Sequence, residues 1–351
     1  EKEHIYLHKV PIGVAVGICP WNFPFFVMAR KVAASLITGN TCVIKPSSEA
    51  PNTIMEFVDF MQKIDLPAGV LNFVCGAGRT VGNALSKSPI TGIISLTGSV
   101  GAGQKVITAA AENITKVSLE LGGKAPAIVC ADANLDLAVT SVVSSKVIFS
   151  GQVCNCAERV YVEDSIYDEF VDKLTKKMSE VTIEDALTGT NADMSSLVSK
   201  SQIDKISEMV EFAKKEGAEV LVGGKRPERF DKGYFYEPTL LANCSQDSQI
   251  IQEEVFGPVL PVMKFNTLDE AIAMSNDTEF GLTSSIFSEN FNNIMKATNG
   301  LHFGETYVNR EHFEAIQGFH AGWKKSGVGG ADGKYGMEEY LHTKVVYAKY
   351  Y

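Results

Sequence analysis

The chain has 351 residues, 45% of them hydrophobic, and its 42 acidic and 32 basic residues give a formal net charge of −10. This composition is typical of a globular protein with a sizeable core, and at about 150 residues per domain the length predicts two domains. The acidic excess argues against a nucleic-acid partner, and no apolar run approaches the roughly 20 residues that span a membrane, so no membrane partner is expected.

The first third of the chain alternates between predicted strands and predicted helices. One helix is predicted from Phe25 to Ile37, where Thr38-Gly39-Asn40 is a typical C-terminal stop signal. The predicted strands are "VAVGICP", "TCVIK", "GVLNFVCG", "GIISLTG", "KVSLELGG" and "APAIVC". Strands that alternate with helices predict βαβ units with parallel strands, and therefore an α/β fold.

After Gly122 the pattern restarts and predicts a second α/β unit. A helix predicted from Leu135 to Ser150 leads into the segment "SGQVCNCAER". "RVYVED" and "GPVLPVMKF" are predicted strands, whereas "SIYDEFVDKLTKKMSEV" and "TLDEAIAMSND" are predicted helices. "SQIDKISEMVEFAKKEGAEVLVGG" is predicted to form a helix, a turn and a strand, and residues 182–199 are polar and irregular.

Both ends of the chain, "HIYLHKV" and "KVVYAKYY", alternate as strands do. Exposed strand edges pair with other chains, so the tails predict a homo-oligomer, either a dimer or a tetramer. Pairing of the two tails with each other is an equally good interpretation. Because residue 1 is a glutamate and a strand is already under way there, we also expect a further segment upstream.

The seven cysteines are odd in number and scattered, which favours reduced thiols and a cytoplasmic location over a disulfide framework. Cys154 and Cys156 have one residue between them, whereas redox pairs usually have two. The six histidines are also scattered, so no metal site is predicted. Gly151 leaves room for a close approach, and Gln152 and Asn155 offer hydrogen bonds. The segment is therefore suited to a nucleophilic thiol.

Two further segments place a polar residue in apolar surroundings. They are "PWNFP", with Asn22, and "LELGGK", with Glu120. Taken singly, Asn22 is most simply a turn-capping amide, and Glu120 a buried salt-bridge partner, for example of Lys124. Considered together, the three segments supply a thiol nucleophile, an amide that can hold an oxyanion and a carboxylate base. This set is suited to acyl chemistry at a carbonyl.

Three segments suggest a dinucleotide. "CGAGRTVG" and "TGSVGAG" each follow a predicted strand and open a helix, where backbone N–H groups meet anions such as a pyrophosphate. Neither matches the usual G-x-G-x-x-G pattern, and such loops are often only tight turns. "QEEVFGP" sets carboxylates beside an aromatic ring, which suits ribose hydroxyls and a nicotinamide, although a solvated loop is the simpler interpretation.

Seven motifs occur in the order found in the NAD(P)-dependent aldehyde dehydrogenase superfamily, which the chain resembles from about Val10 to its end. They are "PWNFP", "KPSSEAP", "TGS", "LELGGK", "SGQVCNCAER", "EEVFGP" and "KKSGVGG". The segments "NFPFFVMARK", "SGQVCNCAERVYV" and "FGETYVNREHFEAIQGFHAGWKKSG" are most similar to the branch that oxidises lactaldehyde and glycolaldehyde.

The resemblance implies a Rossmann-like cofactor domain and a second α/β catalytic domain. It implies that residues 11–121 with 322–340 bind NAD(P), in a domain that is incomplete at its N-terminus. It also implies that residues 122–321 form the catalytic domain, and that residues 1–10 and 341–351 are oligomerisation strands.

Carried over position by position, the resemblance implies that Cys154 is the nucleophile and Glu120 the general base. Asn22, together with the backbone N–H of Cys154, is the implied oxyanion donor. The implied substrate is a small aldehyde, which becomes a thioester that water hydrolyses, and the implied cofactor is NAD or NADP. The implied cofactor contacts are Lys45, Gly98, Ser99, Glu254 and Phe256. The implied contacts to a small hydroxyaldehyde are Arg30, Glu314 and His320.

The chain departs from the family pattern at two places. Ser48 stands where many NAD-preferring members have a glutamate, which would repel a 2′-phosphate, and Arg79 offers a cation for such a phosphate. We therefore expect these two residues to allow NADP as well as NAD. Ser195-Ser196 replaces a usual Gly-Pro turn, so we expect that loop to differ.

Two alternatives stay open. A CoA-acylating semialdehyde dehydrogenase would transfer the acyl group to CoA, but the intact "LELGGK" favours water. A catalytically silent protein on the same scaffold could lose Cys154 or Glu120 without penalty, yet both residues are present.

Overall fold

A computed structural model describes residues 2–61, 63–188 and 191–351, which form two compact units. The first unit comprises the described residues of Glu1–Leu121, Glu314–Ala321 and Gly327–Tyr351. The second comprises those of Gly122–Phe313 and Gly322–Ser326. The functional domain bounds implied by the family resemblance stay a prediction, because compactness alone assigns no function.

The first unit contains a six-stranded sheet whose strand order reverses near its middle. Side by side, the strands are β14 (Gly327–Val328), β6 (Lys116–Glu120), β5 (Thr91–Thr97), β2 (Val14–Ile18), β3 (Thr41–Lys45) and β4 (Leu71–Phe73). All neighbours are parallel except β14 and β6. The chain proceeds from β2 through β4 toward one edge and from β5 to β6 toward the other. Doubly wound sheets bind ligands at the carboxyl ends of the strands beside such a reversal.

Apolar side chains cover both faces of this sheet. Its helices are α1 (Pro24–Ile37), α2 (Asn52–Met61), α3 (Asn83–Ser86), α4 (Val100–Ala110) and α11 (Gly333–Glu338), with a π-helical turn at Gly78–Gly82. Since successive strand residues point to opposite faces, Val16 and Leu96 pack with α4, whereas Ile44 packs with α1. Burial on both faces is what a parallel sheet requires.

The second unit contains a seven-stranded sheet. Side by side, the strands are β13 (Glu305–Val308), β12 (Thr283–Phe287), β7 (Ala125–Val129), β8 (Ala157–Glu163), β11 (Val259–Phe265), β10 (Thr239–Ala242) and β9 (Glu219–Val222). Only β9 runs antiparallel to its neighbour. The sequence patterns predict no strand at β10, β12 or β13. In β12, the buried hydroxyls of Thr283 and Ser284 donate to the carbonyl oxygens of Asn155 and Glu305, which lets polar residues lie in the sheet.

The helices of the second unit pack on both faces of its sheet. They are α5 (Leu135–Val147), α6 (Tyr167–Ser179), α7 (Lys200–Lys215), α8 (Gln249–Gln252), α9 (Leu268–Asn276) and α10 (Phe291–Gly300). The helix predicted to extend to Ser150 ends at Val147, because Phe149 and Ser150 have left-handed backbone angles. Two mainly parallel sheets covered by helices confirm the predicted α/β class.

The two tails pair with each other in an antiparallel ribbon. The strands are β1 (Glu3–Pro11) and β15 (Leu341–Lys349), in a register that runs from Glu3 opposite Lys349 to Pro11 opposite Leu341. The structure thus shows the second of the two interpretations of the tails. Oligomerisation through this ribbon stays a prediction.

Candidate active site

One edge of the first unit's sheet carries four of the predicted site residues. Lys45 and Glu120 are the last residues of β3 and β6, and Gly98 directly follows β5. Asn22 lies in the connection from β2 to α1 and is buried. The parallel register brings these strand ends level with one another. Residues that are far apart in sequence therefore share the carboxyl edge of one sheet.

Glu120 is buried beside His320. Its Oε2 lies 3.5 Å from the histidine Nε2, and both side chains are 3% exposed. His320 is held there by paired backbone hydrogen bonds with Ala331. The suggestion that Lys124 pairs with Glu120 is wrong, because the Nζ of Lys124 donates to Glu158 at 2.9 Å. A buried imidazole is thus a direct neighbour of the implied base.

Arg30 lies between two carboxylates. Its Nη2 is 2.8 Å from Oε1 of Glu314 and 2.6 Å from Oδ2 of Asp332, and its guanidinium lies over the ring of Phe26. Burial acts to raise the pKa of Glu314, but His320 and Arg30 outweigh it and the pKa is lowered. The three predicted substrate contacts therefore lie in one buried cluster, together with Asp332.

Sequence reasoning missed Lys31 and Asp332. Lys31 is buried in α1, and its Nζ donates to the Ser95 hydroxyl at 2.8 Å. Burial lowers the pKa of Lys31 to about 8, although Cys19 and Glu120 oppose the shift. The adjacent cations Arg30 and Lys31 in a mainly apolar helix could have indicated that Lys31 is buried with a function. Asp332 lies in a glycine-rich segment and offered no comparable signal.

The residues implied to hold the cofactor in this unit differ in exposure. Ser99 caps α4, where its Oγ accepts the backbone N–H of Ala102 at 3.3 Å. Lys45 is buried, which lowers its pKa, and its Nζ donates to the carbonyl oxygen of Pro46. Ser48 and Arg79 are both exposed, and Arg79 lies in the π-helical turn.

In the second unit, a left-handed turn presents the cysteine segment. Phe149, Ser150 and Gly151 have φ angles of 50°, 57° and 74° in succession. A Cβ on Gly151 would lie 2.2 Å from the carbonyl oxygen of Gly257, so that only glycine allows this backbone approach. The room that Gly151 was expected to leave is thus taken by backbone.

The loop with the unusual Ser195-Ser196 pair is bound to this turn. The Oγ of Ser150 donates to the carbonyl oxygen of Ser195 at 2.8 Å and accepts its N–H at 3.1 Å. Gln152 likewise accepts the N–H of Val198 at 3.0 Å. The residues before Cys154 are therefore fixed by hydrogen bonds to a neighbouring loop.

The two neighbouring thiols differ in exposure. Cys154 is partly exposed, whereas Cys156 is buried, with its Sγ 3.8 Å from the carbonyl oxygen of Gly151. Burial raises the pKa of Cys156 to about 12, despite the nearby ammonium of Lys146. Since the thiolate is the nucleophilic form, the thiol of this pair that a substrate can reach is Cys154.

Gly123 contacts both the cysteine loop and Glu254. Its N–H donates to Oε1 of Glu254 at 2.7 Å, and a Cβ on it would lie 2.3 Å from the carbonyl oxygen of Cys154. Burial raises the pKa of Glu254 to about 7, although this hydrogen bond opposes the shift. Phe256 has a left-handed φ of 58°, and Gln202 donates to its carbonyl oxygen at 2.8 Å.

A buried ion cluster supports the same segment. Glu158 accepts hydrogen bonds from Lys146 at 2.6 Å, from Lys124 at 2.9 Å and from the N–H of Val255 at 3.0 Å. Lys146 also donates to the carbonyl oxygen of Gly257. Burial acts to raise the pKa of Glu158, but the two lysines lower it to about 2. Sequence reasoning missed this cluster, which fixes the segment that carries the implied cofactor contacts.

Each unit thus gathers its own share of the predicted residues. The first holds Asn22, Arg30, Lys45, Ser48, Arg79, Gly98, Ser99, Glu120, Glu314 and His320, and the second holds Cys154, Glu254 and Phe256. Among residues 2–61, 63–188 and 191–351, no three His, Cys, Asp or Glu side chains are arranged to hold a metal ion. Within the same residues, no helix has the length and apolar character that crossing a membrane requires.

Known proteins resemble this chain over nearly its whole length. The model of the aldehyde dehydrogenase family matches residues 1–346. Lactaldehyde dehydrogenase of Escherichia coli (strain K12) is 55% identical over 345 residues, which are 98% of this chain and 72% of that protein. A D-glyceraldehyde dehydrogenase (NADP(+)) of Picrophilus torridus is 40% identical over 100% of this chain and 71% of its own length.

A solved structure shows the same fold. The crystal structure of lactaldehyde dehydrogenase from Escherichia coli superposes with a TM-score of 0.97 at 55% identity. The match covers 99% of this chain and 72% of that one.

Proposed function

The chain belongs to the aldehyde dehydrogenase family, and on that premise we propose that it oxidises a small hydroxyaldehyde, such as lactaldehyde or glycolaldehyde, to the carboxylate. The contact between His320 and Glu120 carries this proposal. This contact joins the implied base to the buried polar cluster of Arg30, Glu314 and His320. In this cluster, Arg30 and His320 are donors that suit substrate hydroxyls. The 55% identity to a protein named lactaldehyde dehydrogenase supports the same substrate class.

The proposed mechanism begins at Cys154. Its thiolate adds to the aldehyde carbon, and the carbonyl oxygen becomes an oxyanion held by the Asn22 amide and the backbone N–H of Cys154. Each donor of this kind is worth about 3–4 kcal/mol in comparable sites. The oxyanion collapses as the hydride leaves the same carbon, which turns the adduct into a thioester on Cys154. Glu120 then removes a proton from water, whose oxygen adds to the thioester carbon. The C–S bond breaks, so that the carboxylate leaves and the thiolate is restored.

The first unit has features that fit NAD or NADP as the hydride acceptor. Its strand order reverses between β2 and β5, and Lys45, Gly98 and Ser99 follow or end strands at the carboxyl edge. When bound, the nicotinamide accepts the hydride that leaves the aldehyde carbon. In the second unit, Glu254 and Phe256 are the proposed contacts to the ribose and the ring. The exposed Ser48 and Arg79 support acceptance of NADP, the cofactor that the name of the Picrophilus torridus relative includes.

We also propose that the chain forms a homo-oligomer through the ribbon of β1 and β15. The ribbon has only two strands, so each strand keeps one edge without a partner strand among the described residues. The odd number and scattered positions of the seven cysteines support a cytoplasmic location.

NADH formation with lactaldehyde tests the proposal. We expect activity from the wild type and from Cys156→Ser, and loss of activity from Cys154→Ser by several orders of magnitude. Product analysis with and without CoA should show the free acid in both cases. An acyl-CoA product would favour the CoA-acylating alternative, and a silent wild type would favour the non-catalytic one. Equal activity of wild type and Cys154→Ser would refute the assignment of the nucleophile.

A further inference from the structure

We propose that His312 is a positioning residue for the nucleophile: through the Ser145 hydroxyl, its ring holds the backbone that directly follows Cys154. The inference rests on the proposed function, since it concerns the reaction of Cys154. Neither the motifs nor the family resemblance singled out His312 or Ser145. All the residues involved belong to the second unit.

Two buried hydroxyl groups hold the backbone after Cys154. The Oγ1 of Thr283 donates to the carbonyl oxygen of Asn155 at 2.9 Å, and the Oγ of Ser145 accepts the N–H of Ala157 at 2.9 Å. Thr283 lies in β12 and Ser145 in α5, so the loop is bound to two different elements. A thiolate must meet the carbonyl carbon at a defined distance and angle, and a displacement of about 1 Å can cost about 100-fold in rate. A change at either hydroxyl is therefore expected to slow the reaction.

His312 fixes the direction of the Ser145 hydroxyl. The Nδ1 of its ring lies 3.4 Å from the Oγ of Ser145, and both residues are buried. The hydroxyl has one proton, and because its oxygen accepts the N–H of Ala157, that proton is free to point at the ring nitrogen. Ser145 therefore bridges the ring and the loop. Without the ring acceptor, the hydroxyl could rotate away from Ala157.

The surroundings of His312 keep its ring neutral, which an acceptor nitrogen requires. Burial lowers the pKa of His312 to about 4, and the ammonium of Lys146 acts in the same direction, whereas the backbone of Pro126 opposes the shift. The ring of Tyr307 packs edge-on against the imidazole, with the ring centroids 5.6 Å apart. A neutral imidazole has one acceptor nitrogen, so the bond to Ser145 can form near neutral pH.

Asparagine and glutamine at position 312 separate this role from simple filling of space. The amide group of asparagine can occupy the place of Nδ1, whereas that of glutamine reaches the place of Nε2. Both amides are polar and cost free energy on burial unless they are hydrogen-bonded. A residue that only fills space should therefore tolerate or reject the two amides alike.

The test measures the rate of the first turnover with lactaldehyde, as rapid NADH formation after mixing, and also the Kd for NAD. We expect His312→Asn to stay within about threefold of the wild type, and His312→Gln to slow the first turnover by about tenfold or more at an unchanged Kd. Ser145→Ala should cause a similar loss. Adding His312→Gln to Ser145→Ala should then cause little further loss, since both changes remove the same anchor. His302→Gln, at an exposed histidine of the same unit, should leave the rate unchanged.

Equal first-turnover rates in His312→Asn and His312→Gln would overturn the inference. A double variant whose loss is the product of the two single losses would also overturn it. If His312→Gln does not fold, Ser145→Ala decides alone, and a folded Ser145→Ala with the wild-type rate contradicts the inference. A wild type that forms no NADH from any aldehyde would instead refute the proposed function, and the inference would fall with it.

Discussion

The Oε1 of Glu158 accepts a hydrogen bond of 2.6 Å from the Nζ of Lys146, in a part of the second unit where neither side chain is more than 1% exposed. Lys124 occupies the other carboxylate oxygen. One anion thus holds two buried cations, and its bond to the N–H of Val255 fixes the segment that carries Glu254 and Phe256.

Removing the charge of Glu158 should destabilise the protein strongly. In Glu158→Gln, two buried ammonium groups lose their counter-ion, and breaking a buried pair in this way typically costs about 3–5 kcal/mol. Urea unfolding measures the loss. Asp136→Asn, which breaks the exposed pair with Lys173, should cost far less, because water and salt screen a surface ion pair. Similar losses in the two variants would show that the cluster contributes little.

Gly151→Ala should destabilise the protein more than Gly217→Ala. Both glycines have a positive φ, 74° and 104°, so both variants strain the backbone by about 1 kcal/mol or more. A Cβ at Gly151 also lies 2.2 Å from the carbonyl oxygen of Gly257, whereas nothing lies within 4 Å of one at Gly217. Thermal unfolding compares the two, and equal shifts in Tm would mean that the approach to Gly257 is easily relieved.

NAD affinity should rise as the pH increases through about 7, where Glu254 loses its proton and its carboxylate can accept ribose hydroxyls. The pKa of Glu254 is raised above its usual value of 4.5, so the folded state holds the proton more tightly than the unfolded state does. The contribution of Glu254 to the free energy of unfolding therefore decreases as the pH rises from about 4.5 to 7. Calorimetric NAD titrations from pH 6 to 8 measure the effect. Glu254→Gln should flatten the profile, and an inflection that persists in this variant would assign the titration to another group.

Cofactor choice should respond to a carboxylate at position 48. Ser48→Glu places a negative charge where a 2′-phosphate is proposed to bind, so kcat/KM for NADP should fall about tenfold or more relative to NAD. Ser201→Glu, on α7 of the second unit, is a charge-matched control that should leave the ratio alone. If Ser48→Glu also leaves the ratio unchanged, the proposed tolerance of NADP has another origin.

Local patterns predicted much of the fold because they depend on short-range regularities. The apolar runs at β2, β3 and β5 and the spacing in α1 and α6 each reflect burial of a strand or of one helix face. By contrast, β12 is buried despite its three hydroxyl residues. Its partners in the sheet are β13, which is the next strand of the chain, and β7, which is far away in the sequence; this pairing makes the burial possible.

The candidate site was predictable where residue chemistry is carried by a motif, as at Cys154, Glu120 and Asn22. Its electrostatics were not. Glu120 contacts His320, which lies 200 positions away in the chain, whereas Lys124 forms an ion pair with Glu158. Such pairings depend on tertiary packing, which spacing in the sequence does not encode.

A trapped acyl-enzyme would test the central claim most directly. In Glu120→Gln, the thiol should still form the thioester but water should no longer be activated, so one equivalent of NADH should appear quickly and turnover should stop. Mass spectrometry of the quenched protein should then find the acyl group on the peptide that contains Cys154. Full turnover by Glu120→Gln, or an acyl group on any other residue, would contradict the account.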